Sequence, residues 1–249
     1  MKLMSLIPTS LTLNLDQHLR DLPYKGKAMD CVFRDKASSH FIRSGDFTRF
    51  ADWRFVHRAR INLLPVNGAR PWVPNDDSRC RRCGFANETL PHVPDHCMTY
   101  SNSYRTRHNK IVERVKAAAL GKYTVIAEST AVSDTALRPD LVLCRGEAAL
   151  VLDITIPFDN RYEALSAARA EKHSKCAVLK QYYRRRFSQV SVEAIVLGAL
   201  GSWDLENDKL MKKLCNKSYM RLFKKLCVSD VMASSRDTYV EHVTGTPVI

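Results

Sequence analysis

The chain has 249 residues, of which 39 are Lys or Arg and 26 are Asp or Glu, giving a formal net charge of +13, and 45% of it is hydrophobic. That apolar content builds a core in one large domain or two small ones, and no run of 18 apolar residues is present to cross a membrane. The basic balance makes a polyanion the expected large partner, and eight cysteines scattered from Cys31 to Cys227 fit a reducing compartment better than a disulfide framework.

Residues 1–30 are poorly patterned and read as a lead-in; Met1 to Leu15 is interrupted by Pro8 and lacks a small-residue cleavage site, so no signal peptide is expected. Ser38 to Leu64 reads as helical and divided at Gly45, with Phe41, Phe47, Phe50, Trp53 and Phe55 among Arg43, Arg49, Arg54, Arg58 and Arg60. An amphipathic pair packed on a neighbouring domain and a surface that sits on nucleic acid share this pattern. Pro65 to Pro74, with three prolines and a glycine, reads as a linker.

Cys80 and Cys83 then form a Cys-x2-Cys pair, with His92 and Cys97 downstream as His-x4-Cys. Two thiolates from one tight turn plus two further soft ligands make a closed tetrahedral Zn²⁺ set, and a segment this short and polar needs such a staple to fold. His96 is a second candidate for the imidazole. Arg81 and Arg82 are expected to face outward, toward phosphate.

Thr106 to Leu120 reads as a helix with His108, Ile111 and Val115 on one face, and Tyr123 to Glu128 as a first strand; Glu128 is more readily a surface acid than a metal support. Leu137 to Cys144 and Ala149 to Ile156 alternate as strands around the turn Arg145-Gly146-Glu147, an antiparallel hairpin that brings Asp140 and Asp153 together. Adjacent carboxylates repel unless a cation lies between them, and an all-oxygen site suits Mg²⁺. Asn160 to Arg186 has no Gly or Pro, and its apolar stripe of Leu165, Cys176, Leu179 and Tyr183 places Lys172 inward and Lys175 at the edge. Val190 to Leu200 reads as a strand and Asp208 to Val231 as a basic amphipathic helix, completing an α/β order of helix, three strands, helix, strand and helix.

Pro139-Asp140, twelve residues, Asp153 and a lysine displaced into the next helix resemble the PD-(D/E)xK restriction-like nuclease fold, in the variant of site-specific non-LTR retrotransposons; the usual lysine position is here Thr155. The Cys80-Arg-Arg-Cys83-Gly84 turn with His92, Cys97 and Arg107-His108-Asn109 resembles the zinc knuckle that precedes that nuclease, and Asp52-Trp53-Arg54-Phe55 with Arg60-Ile61-Asn62-Leu63-Leu64-Pro65 resembles the linker that follows the reverse transcriptase. The resemblance covers roughly residues 35–230 and implies a helical linker segment (1–74), a zinc knuckle (75–105), an endonuclease core (106–235) and a tail (236–249). It implies a nuclear, Mg²⁺-dependent DNA endonuclease with structural Zn²⁺, in which Asp140 and Asp153 hold the metal and Lys172 or Lys175 is the catalytic lysine. Its nick would prime reverse transcription of element RNA by the polymerase part of the same polyprotein, which has no Tyr-x-Asp-Asp-like signature here. A non-catalytic zinc-dependent nucleic-acid binding fragment is the alternative.

Overall fold

A computed structural model describes residues 17–69, 77–132 and 137–248; the expectation for Met1 to Leu15 and that for residues 70–74 of the Pro65–Pro74 linker lie outside them. The helices Lys27–Val32 (α1), Phe41–Ser44 (α2) and Phe50–Arg60 (α3) lead into the cysteine-rich segment, which is followed by Ser101–Ala119 (α4). Then come the strands Thr124–Glu128 (β1), Leu141–Arg145 (β2) and Ala148–Thr155 (β3), the helix Tyr162–Arg184 (α5) and the strand Gln189–Val196 (β4). The helices Asn207–Leu214 (α6) and Lys217–Thr244 (α7) close the chain.

The four strands form one mixed sheet in the order β1-β2-β3-β4. β1 and β3 flank β2 antiparallel, and β4 joins β3 in parallel after the α5 crossover. The β2–β3 turn is tight because Gly146 adopts φ 56, open to glycine and strained for most residues. Its register, Leu141 opposite Leu152 and Val142 opposite Val151, carried one rung further, sets Asp140 opposite Asp153.

Alternation along β2 and β3 sends two sets of side chains to two helical layers. Val142 and Val151 pack with Cys176, Leu179 and Tyr183 of α5. Leu141, Leu143, Leu150, Leu152 and Ile154 pack on the other face with Ile111 and Val115 of α4 and Val228 and Val231 of α7. Each fully buried aliphatic side chain of this kind contributes about 1.5–3 kcal/mol.

Several expectations are corrected. The lead-in includes α1, which buries Ala28, Cys31 and Val32. The division at Gly45 holds, with Gly45 ending α2 at φ 69. α3 lies on the core through Phe55, Val56 and Ala59, and its buried Arg60 donates from Nη2 to Ser38 O at 2.7 Å and Leu200 O at 2.8 Å. The single helix expected over Asp208 to Val231 is two, because the Asn216 side chain accepts from Tyr219 N and starts a new helix there. That helix, α7, continues to Thr244 and ends at Gly245.

Candidate metal centres

Among its described residues the segment between α3 and α4 has little regular structure, and four of its side chains converge. Cys80 and Cys83 come from one turn, in which Gly84 N–H donates to Cys80 O, and His92 and Cys97 flank a single wide turn. Cys80 Sγ lies 3.9 Å from Cys97 Sγ, Cys83 Sγ lies 3.4 Å from His92 Nε2, and all four ligand atoms fall within 4.8 Å of one another. Bond lengths of about 2.0–2.3 Å to a tetrahedral Zn²⁺ require ligand–ligand separations of roughly 3.5–3.8 Å, so the cluster has the dimensions of a closed zinc site. His92 supplies the imidazole, whereas His96 is exposed and outside the cluster. Burial pushes the Cys97 thiol up to about 11, so this sulfur becomes a ligand only when an ion displaces its proton.

The knuckle is wired to the core rather than hung from it. Glu88 is fully buried and accepts from Arg81 Nη2 at 2.6 Å and from the Arg81 and Asn67 backbone N–H groups, and His242 Nε2 at the end of α7 lies 2.9 Å away. Burial alone would raise its carboxyl, but these donors hold it down at about 2. Arg82 Nε donates to His242 O at 2.7 Å. Arg81 and Arg82 are both exposed, as expected, and each also has a partner within the protein. Asp95, inside the wide turn, accepts from Arg107 of α4 at 2.9 Å and from Phe158 N after β3 at 3.1 Å.

The second centre lies where the α5 layer meets the ends of β2 and β3. Asp140, Asp153, Lys172, Lys175, His108 and Cys176 line one cleft of about 260 Å³. Lys172 Nζ donates to Asp153 Oδ1 at 2.8 Å, and Cys176 Sγ donates to Asp153 Oδ2 at 3.4 Å. Asp140 Oδ2 accepts from Ile154 N at 2.6 Å and faces His108 Nε2 at 3.1 Å. His108 Nε2 is also 3.2 Å from Ile154 O, and since both neighbours are acceptors this nitrogen carries a proton.

Electrostatics in the cleft separate the two acids. Burial would raise Asp140, but His108 and the Ile154 N–H more than offset it, and its carboxyl sits below the usual range. Burial and the nearby Asp140 together lift Asp153 above that range in spite of Lys172. The Lys172 ammonium is itself held above its ordinary value: burial opposes the charge, and the Asp153 hydrogen bond outweighs it. Asp153 is buried and Lys172 half-buried, so this ion pair is partly protected from water.

Asp140, Asp153 and Lys172 thus meet as the spacing suggests; Lys175 lines the same cleft but is exposed. Glu128 turns away, 2.8 Å from Lys116 Nζ. Two contributors, His108 and Cys176, had not been assigned to the cleft. Their only signal was position: His108 and Cys176 sit on the inward stripes of α4 and α5.

No family model matches the chain. Over 200 residues, 77% of its length, the chain is 32% identical to the retrovirus-related Pol polyprotein from the type-1 retrotransposable element R2 of Popillia japonica. The chain spans about two fifths of that curated relative, 41% of its length. The chain, which joins a Cys/His cluster to a mixed four-stranded sheet, is thus similar to part of an R2 Pol polyprotein.

Proposed function

We propose that the chain carries a metal-dependent DNA endonuclease of the PD-(D/E)xK type, which nicks a genomic target in the nucleus to prime reverse transcription of element RNA by a polymerase partner. The observation that carries this reading is the convergence of Asp140, Asp153 and Lys172 in one cleft. The donor set fits a hard divalent cation: two carboxylates face each other, and each shifts the other's ionisation. Asp140 and Asp153 would hold Mg²⁺, which when bound would supply charge neutralisation and polarisation of the scissile phosphate.

The chain's own groups do the rest. The His108 imidazole and the Ile154 N–H converge on Oδ2 of Asp140 and fix that carboxylate in its ionised form. Lys172 lies beside Asp153, where its ammonium can orient the attacking water and balance charge that develops on the phosphate. Lys175 and Arg138 at the cleft mouth contact the flanking backbone. The Cys80, Cys83, His92 and Cys97 set holds structural zinc and fastens α4 and α7 beside the cleft.

One observation favours the alternative of a non-catalytic zinc-dependent nucleic-acid binding fragment: both carboxylates already have hydrogen-bonding partners within the chain, Lys172 and His108. A supercoiled-plasmid assay decides. Nicking with Mg²⁺ that vanishes with EDTA and in Asp153→Asn supports the endonuclease; duplex binding with no nicking at any Mg²⁺ or Mn²⁺ concentration supports the alternative.

A further inference from the structure

Helix α3 has two unlike faces. Asp52, Phe55, Val56, Ala59 and Arg60 are buried on the core side, while Phe50, Arg54, His57 and Arg58 are exposed on the other. On the exposed side the Phe50 and Trp53 rings lie 5.7 Å apart and 9° from parallel, and the Trp53 and His57 rings lie 5.3 Å apart and again 9° from parallel. Spacings of three and four residues put these side chains one above another, so the helix holds three ring planes in one column. Its outer member, Phe50, is 71% exposed. Just before the helix Phe47 is 54% exposed and held at φ 58, a conformation side chains rarely adopt.

A basic groove runs beside the column. It measures about 260 Å³ between α3 and α7 and is lined by Arg54, Arg58, Arg236, Leu64 and Tyr239. Arg236 pairs with Asp237, whereas Arg54 and Arg58 enter no ion pair among the described residues. These two stand one turn apart, about 6 Å along the axis. An apolar column alone would suit many partners. Two uncommitted arginines alongside it, on a chain of net charge +13, select a polyanion with flat apolar groups.

We infer that α3 is a binding site for single-stranded nucleic acid, in which unpaired bases continue the Phe50–Trp53–His57 column and the phosphates follow Arg54 and Arg58. A duplex keeps its base faces stacked inside and cannot extend the column. Every base has a π-face, so the site takes RNA and DNA single strands alike. No α3 residue lines the carboxylate cleft, and the inference does not rest on the cleavage reading.

The test uses the full chain and fluorescence anisotropy with three labelled probes: a 12-nucleotide oligouridylate, the matching oligothymidylate, and a 12-base-pair duplex. Phe50→Ala should weaken both single strands about 10-fold, the loss of one stacked base. The double variant Arg54→Ala, Arg58→Ala should weaken them similarly and reduce the log–log salt slope by about 1.4, two phosphates at about 0.7 each. Both variants alter exposed side chains and should keep the thermal melt, duplex affinity and plasmid nicking of the parent. Asp140→Asn should keep full single-strand affinity, which separates this site from the cleft whatever the plasmid assay shows. Single-strand affinities unchanged in both α3 variants would overturn the inference, and so would a parallel fall for single strands and duplex.

Discussion

The Cys/His knuckle and the carboxylate cleft are both candidate metal centres, and they are built on opposite principles. The knuckle takes soft donors from residues 80–97, nearly all buried, at the spacings of a filled tetrahedron. The cleft takes hard donors from β3 and from the residue just before β2, opens to solvent, and answers each carboxylate with a basic side chain of the protein. A closed soft site has no position for a substrate and suits a structural ion. An open site of hard ligands with a movable ammonium leaves room for one. The knuckle thus belongs to the scaffold, and through Glu88–His242 and Asp95–Arg107 it is the scaffold of the cleft side of the molecule.

The sharpest way to break this contrast is to empty the knuckle. Cys80→Ser is expected to release zinc, an ion whose binding stabilises isolated structural sites by about 10 kcal/mol or more. Hydrogen exchange should rise together in residues 80–97, the first turns of α4 and the last turns of α7, while β2 and β3 stay protected. Protection of α7 unchanged after zinc loss would detach the knuckle from the core, and unchanged zinc content would remove Cys80 from the ligand set.

Emptying the cleft should do the reverse. Asp140→Asn and Asp153→Asn are each expected to lower single-turnover nicking about 10³-fold, since cation stabilisation of the transition state is worth several kcal/mol, with zinc content and circular dichroism retained. Nicking at parental rate in either variant would sink the cleft as the catalytic centre. Lys172→Ala should cost about 10²-fold in rate at saturating DNA, roughly 3 kcal/mol, because its ammonium touches Asp153. Lys175→Ala is the smallest effect: a few-fold weaker duplex binding, a salt slope lower by about 0.9, and a near-parental maximal rate. Equal rate losses in the two lysine variants would mean that they act as a unit.

Much of the fold was legible along the chain. The Gly146 turn and the alternation of β2 and β3 set the register that faces Asp140 with Asp153, and the stripe Leu165, Cys176, Leu179, Tyr183 pointed Lys172 rather than Lys175 toward the sheet. What escaped was non-local. His108 reaches Asp140 from the layer behind the sheet, and the exposed Arg81 and Arg82 also bond to Glu88 and to the His242 carbonyl. A basic side chain looks the same in sequence whether an acid, a carbonyl or water alone will meet it, and the partner here comes from another turn or a helix end.

The sequence by itself determined the three cysteines of the Cys/His cluster, the hairpin pairing and the inward lysine, because each depends on spacing within one turn, strand or helix. Only the tertiary structure decided that His92 and not His96 closes the cluster, that α7 continues to Thr244, and that the ring planes of α3 stack beside unpaired arginines. Those outcomes are set by which groups lose water together when separate elements pack, and burial of one charge or ring depends on partners far away in the chain.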